Sequence, residues 1–246
     1  MNFSADVFSS AFLLVLGTSV GSLLALVQRF RLLSLHEGLS FAGGVMLVAS
    51  FTSLILPSLR IGSFTQTAFG IILGFSLMGL LERLLAHEHV FIGKEGTFEV
   101  LHKRVTLIML GVIIHNMPEG FSVGVSSAYD LQKGLSTALA IAIQDIPEGL
   151  VVSLPLMAIH RSSYFALLLG VISGVLEGLF CVLGYLIFTE AVSLLPLGLA
   201  LGGGAMLYVV AKEVFPEVYS GEKHFRITVA LLAGLLVMLY LDTLFS

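Results

Sequence analysis

The sequence predicts an all-α polytopic membrane protein of eight transmembrane helices, and three observations predict it. The chain of 246 residues is 57% hydrophobic and only 11% charged, against roughly 25% charged residues in a soluble domain. Its mean hydropathy is +1.03. Apolar stretches of about 20 residues, the length that crosses a bilayer, recur at 7–28, 38–58, 66–86, 104–128, 134–158, 163–188, 194–212 and 227–245. Little chain lies outside them. Residues 1–246 therefore read as a single transmembrane domain whose chemistry lies within the lipid bilayer.

The basic residues sort between alternate loops. Arg29, Arg31, Arg83, Lys94, Lys103, Arg104, Arg161, Lys212, Lys223 and Arg226 fall on one side, and Arg60 and Lys133 on the other. Positive residues accumulate on the cytosolic side, so both termini are expected outside, as an even number of spans requires. The segment before the first apolar run lacks Lys and Arg, which argues against a cleaved signal peptide. A net charge of −4 without a basic arm offers nothing to nucleic acid. Cys181 is the only cysteine, so no intrachain disulfide forms.

The longest loop, residues 87–103, joins spans three and four and contains His87-Glu88-His89. Its glycines and mixed charges suit a solvated cytosolic segment. Paired imidazoles beside carboxylates also make His87 and His89 candidates for weak metal capture.

Two near-copies of one pattern lie at the centre of the chain. His115-Asn116-Met117-Pro118-Glu119-Gly120 falls in span four, and Gln144-Asp145-Ile146-Pro147-Glu148-Gly149 in span five. A carboxylate at such depth costs roughly 2.5–3.5 kcal/mol on an insertion scale, so packing alone does not account for two copies. Residues four apart share a helix face, which aligns His115 with Glu119 and Gln144 with Glu148. The short connection makes the two helices antiparallel neighbours, so both motifs meet at one depth. Pro118 and Pro147 each free a backbone carbonyl by removing a donor, and Gly120 and Gly149 are expected to let the two kinked helices approach closely.

Glu177 adds a fourth acid near the middle of span six, and no basic residue lies at that depth in any span. Glu119, Asp145, Glu148 and Glu177 cannot all remain ionised in close company without compensation by protons or divalent cations. Four negative charges balance two divalent ions, which makes a two-metal site plausible. Met46 in span two offers a thioether. Imidazole with carboxylates and no thiolate suits Zn(II), and also Fe(II), Mn(II) and Cd(II). The expected affinity is moderate, as release of a transported ion requires.

Two other functions compete. An intramembrane metallohydrolase would use metal, carboxylate and histidine, but no His-Glu-x-x-His occurs. Gly17-Thr18-Ser19-Val20-Gly21 and Gly120-Phe121-Ser122-Val123-Gly124 match a Gly-x-Ser-x-Gly pattern, yet fall inside membrane helices rather than at a strand-to-helix turn. A metal-sensing membrane protein that binds without transporting is the second alternative. The predicted class is a transporter, not an enzyme.

Through the paired motifs the chain resembles the ZIP (Zrt-/Irt-like protein) family of divalent metal transporters, and most of all its bacterial GufA-like branch. The resemblance extends to the eight spans, the outside termini and the 3–4 loop, and so covers essentially the whole chain. It implies an inverted 3+2+3 helix repeat and transport of metal, foremost Zn(II), toward the cytosol across a bacterial inner membrane. It implies a binuclear site in which His115, Gln144, Glu119, Glu148 and Met46 hold one ion. Asn116, Asp145 and Glu177 hold the other, with Glu119 and Glu148 bridging. Ser53 would line the outer entrance and Glu213 would be an inner exit ligand. Relatives often carry a histidine just before that acid, where this chain has Lys212. The family also suggests a homodimer and no prosthetic group, the metal being the substrate.

Overall fold

The computed structural model describes residues 5–27, 35–84, 115–160, 163–219 and 224–244. Among these residues the only regular secondary structure is helix. Helix α1 is Ala5–Leu24. Helix α2 runs through Leu35–Ala49, a π-helical turn Ser50–Ile55, and Leu56–Ile61. Helix α3 is Phe64–Leu84, α4 covers residues 115–129, α5 is Leu131–His160 and α6 is Ser163–Glu190. Helix α7 follows a 3₁₀ turn, Val192–Leu194, and comprises Leu195–Val209, a π-helical turn Val210–Val214, and Phe215–Tyr219. Helix α8 is His224–Leu244.

Six of these helices, α1, α2, α3, α6, α7 and α8, are long and apolar enough to cross a membrane. The fourth and fifth expected spans, which carry the polar motifs, are not among those six. Helix α4 is described only from His115 onward, while α5 is one unbroken helix that includes Pro147. His87, His89 and the basic residues Arg29, Arg31, Lys94, Lys103, Arg104, Arg161 and Lys223 lie outside the described residues.

Local chemistry accounts for the helix starts. Asp130 separates α4 from α5, and its Oδ1 accepts the Lys133 amide at 2.9 Å, an N-terminal cap that satisfies a donor the helix leaves unpaired. At the start of α3, Ser63 Oγ accepts the Gln66 amide at 3.2 Å while Gln66 Oε1 accepts the Ser63 amide at 3.0 Å. This reciprocal pair is a capping box.

The helices pack in two groups. Helices α1, α5 and α6 pack on one another, α1 making the broadest contacts with the other two. The second group pairs α2 with α8 and α3 with α7, and joins α7 to the π-turn of α2. Helix α5 also meets α2 and α8, so it lies at the seam between the groups. Lys133 Nζ of α5 pairs across that seam with Asp242 Oδ1 of α8, 2.8 Å away.

The motif glycines act differently from the sequence expectation. A Cβ at Gly120 would run into the Glu177 carbonyl of α6, and one at Gly149 would run into the backbone of α1 at Thr18. Each glycine thus seats its helix against a neighbour outside the α4–α5 pair. Close backbone approach through small residues is how membrane helices gain packing energy where apolar burial against lipid gives none. Gly120→Ala is expected to destabilise the protein by about 1–3 kcal/mol through overpacking. Thermal unfolding of the detergent-solubilised protein measures this, and an unchanged midpoint would contradict the close α4–α6 contact.

Candidate metal centre

The two motifs and Glu177 meet inside the first helix group. Glu119, Gln144 and Glu177 are fully buried, and Asn116, Asp145 and Glu148 nearly so. Gln144 Nε2 donates to Glu119 Oε1 across the α4–α5 interface. Glu177 Oε2 on α6 accepts from Asn116 Nδ2 at 3.4 Å and from Thr18 Oγ1 of α1 at 3.3 Å. Four helices therefore contribute polar groups to one cluster.

Two triads within it have metal-binding spacing. Ligand atoms of His115, Glu119 and Glu148 lie within 4.8 Å of one another, and so do those of Glu119, Asp145 and Glu177. Glu119 belongs to both triads, so the two positions are adjacent. Among the described residues, no Lys or Arg forms an ion pair with these acids. Several buried atoms lack any hydrogen-bond partner: His115 Nε2, Glu119 Oε2, Gln144 Oε1, both Asp145 carboxylate oxygens, Glu148 Oε1 and Glu177 Oε1. Leaving a buried polar atom unsatisfied costs about 1–3 kcal/mol, and more for a charged group. An imidazole and several carboxylates with free lone pairs in one place form a donor set that suits a divalent cation.

Glu213 also joins this neighbourhood. Its Oε2 lies 3.5 Å from His115 Nδ1, while His115 Nε2 lies 3.7 Å from Glu148 Oε2. The imidazole thus stands between an acid of its own helix group and an acid of the other. Glu213, which the resemblance implies as an inner exit ligand, is here packed directly against the cluster.

Ser53 and Glu213 share a backbone feature that sequence inspection missed. Each sits in a π-helical turn, Ser50–Ile55 of α2 or Val210–Val214 of α7. In each turn the amide that follows bonds five residues back, Leu56 to Phe51 and Phe215 to Val210. A proline comes next, Pro57 or Pro216, and removes the α-helical donor to the carbonyl four residues earlier, at Ser53 or Lys212. Such turns concentrate at functional positions in helices. Ser53 is fully buried and its hydroxyl has no hydrogen-bond partner. Met46 lies one turn before the first π-turn, fully buried in the apolar core, and its carbonyl accepts from Ser50 Oγ at 2.7 Å.

Thr18 is the residue of the cluster that sequence reading passed over. The Gly-Thr-Ser-Val-Gly stretch around it reads as small-residue packing, and nothing in its spacing points to Glu177. Only the placement of α1 against α6 brings its hydroxyl to the carboxylate.

A chain of apolar helices around a buried imidazole–carboxylate cluster defines a class: an integral membrane protein built to handle a metal ion. Residues 94–242 match the family described as ZIP Zinc transporter, and the chain belongs to that family. It is 39% identical to the zinc transporter ZIPB of Bordetella bronchiseptica over 92% of this chain and 77% of that protein. It is 36% identical to the zinc transporter GufA of Myxococcus xanthus over 77% of this chain and 79% of that one. A zinc transporter ZupT of Stenotrophomonas maltophilia is 28% identical over 89% of this chain and 88% of its own length. Membership places the chain among transporters and not enzymes, so the hydrolase alternative falls.

The partners of Glu177 give a direct test of its role. Removing the hydroxyl donor with Thr18→Val is expected to weaken zinc binding at the Glu119–Asp145–Glu177 position by about 10-fold to 100-fold, the usual effect of losing a group that orients a ligand. Titration calorimetry on purified protein reads it. Unaltered affinity in Thr18→Val would show that the hydroxyl does not organise this carboxylate.

Proposed function

We propose that this protein carries Zn(II) across the bilayer toward the cytosol through a binuclear site within the membrane. His115, Gln144, Glu119, Glu148 and Met46 hold one ion. Asn116, Asp145 and Glu177 hold the second, and Glu119 and Glu148 bridge. The observation that carries this reading is the pair of buried triads sharing Glu119, with so many unpartnered ligand atoms. The relatives' description as zinc transporters supports zinc as the ion. Cd(II), Fe(II) and Mn(II) share the ligand chemistry and are the expected competitors.

The same reading includes α4 and α5 as spans four and five, giving eight spans in an inverted 3+2+3 arrangement with both termini outside the inner membrane. Inverted repeats around a midplane site support alternating access. Ser53 on the outer side and Glu213 on the inner side flank the site along the path, and the protein works as a homodimer in lipid. His87 and His89 of the 3–4 loop are accessory groups that capture metal before or after passage.

Uptake into proteoliposomes tests this directly. Saturable, protein-dependent zinc flux is expected, with Glu119→Ala and Glu148→Ala reducing it to background. Glu190→Gln, at the exposed end of α6, should leave it intact. Zinc binding without flux would instead support the non-transporting sensor. A second test is metal counting by anomalous scattering at the zinc edge. Glu177→Gln should reduce two bound ions to one, and equal counts in both proteins would refute the assignment of Glu177 to a second ion.

A further inference from the structure

Outside the metal centre, a cavity of about 620 Å³ opens between α3 and α7. Phe75, Ser76, Leu80, Glu82 and Arg83 of α3 and Tyr208 and Lys212 of α7 are among its lining residues. Arg83 lies in the last turn of α3, and Lys212 lies in the π-turn that ends the apolar stretch Val192–Val214. The cavity therefore sits where two membrane-length helices reach the lipid–water boundary. Its charges are not matched against each other in ion pairs. Among the described residues, neither Arg83 nor Lys212 pairs with a carboxylate, and Glu82 accepts from the Tyr208 hydroxyl.

The geometry points to a binding site for a phospholipid whose headgroup carries both a phosphate and a primary ammonium, of the phosphatidylethanolamine type. A lone Lys or Arg near a helix end ordinarily extends its charge into the interface and needs no ligand. Here two cations and an acid line one cavity, which calls for an occupant with both signs of charge. Arg83 and Lys212 suit the phosphate oxygens, since guanidinium–phosphate bonds are charge-assisted and basic pockets between membrane helices hold lipid headgroups. Glu82 suits the ammonium, and its bond from Tyr208 leaves acceptor capacity on the carboxylate. A phosphatidylglycerol headgroup would offer Glu82 only neutral hydroxyl donors, without the charge that strengthens an ammonium–carboxylate bond, and a choline headgroup has no N–H to donate.

The apolar lining provides for the glycerol and upper acyl carbons. Phe75 packs edge-on against Tyr208, ring centroids 4.9 Å apart at 79°, and both belong to the wall. Gly79 lets α3 sit close against the Tyr208 ring, since a Cβ there would come within 3.3 Å of it. Lys212 is the immediate neighbour of Glu213, which meets His115. An occupied headgroup site thus touches the same backbone turn that carries an acid of the metal centre. The site depends on the chain's place in the membrane and not on the transport reading.

Native mass spectrometry on the purified protein tests the site, with phosphatidylethanolamine, phosphatidylglycerol and phosphatidylcholine of matched acyl chains supplied in competition. Phosphatidylethanolamine should be retained in preference to both others. The double substitution Arg83→Gln/Lys212→Gln should lower its retention by roughly tenfold, as loss of charge-assisted bonds implies. Glu82→Gln should leave lipid binding but erase the preference for ethanolamine over choline. Equal retention of the three lipids by the unsubstituted protein, or preference for phosphatidylglycerol, overturns the proposal without any variant needing to fold. No retained lipid overturns it as well.

Discussion

The constraint on which the rest of the structure depends is the mutual repulsion of carboxylates gathered where water does not reach. Glu119, Asp145 and Glu177 share one cluster, with Glu148 beside it, and among the described residues only an imidazole stands in ionic contact with any of the cluster's acids. Each such group costs a few kcal/mol to hold at depth. The helices that carry the cluster must therefore be held by something else, and close backbone seating of α4 on α6 and of α5 on α1 supplies it. A bound cation would relieve the repulsion, so a ligand that binds only the folded state would also stabilise the fold by mass action.

The origin of each polar group divides the cluster in an informative way. Asn116, Glu119, Gln144, Asp145, Glu148 and Glu177 come from α4, α5 and α6, and Thr18 from α1. Glu213 arrives from α7, and Met46 of the proposed ligand set from α2, both in the second helix group. His115 touches Glu148 with one nitrogen and Glu213 with the other. A displacement of one group against the other would part His115 from Glu213 while leaving both triads whole. The Lys133–Asp242 pair bridges the same seam, so it resists that displacement from the far end of α5.

Much of the site was legible in the sequence because polar residues in an oily helix are conspicuous, and their four-residue spacing fixes a shared face. That reasoning needs only one helix at a time, so it found His115 with Glu119 and Gln144 with Glu148. It failed where the answer depends on which helices touch. Thr18 reads as packing until α1 is laid on α6, and Gly120 and Gly149 face partners that no local pattern names. Glu213 has ordinary helical neighbours in sequence and reaches His115 only through tertiary placement. The helical class was legible from composition, whereas the fourth and fifth expected spans, which hold the polar motifs, are not among the six described helices long and apolar enough to cross a membrane.

The two π-turns give the chain a register device. Such a turn is an α-helix holding one surplus residue, and each α-helical residue advances the side-chain direction by about 100°. The widened turn takes up its surplus residue within itself, so losing one residue from Val210–Val214 would let α7 close into an uninterrupted spiral with the helix beyond keeping its face, and Phe215 would still pack against the core. The change would fall on the turn itself, where Glu213 would be re-aimed relative to His115. Homologous chains one residue shorter at this place would be expected to keep their packing and differ only in how that acid meets the imidazole.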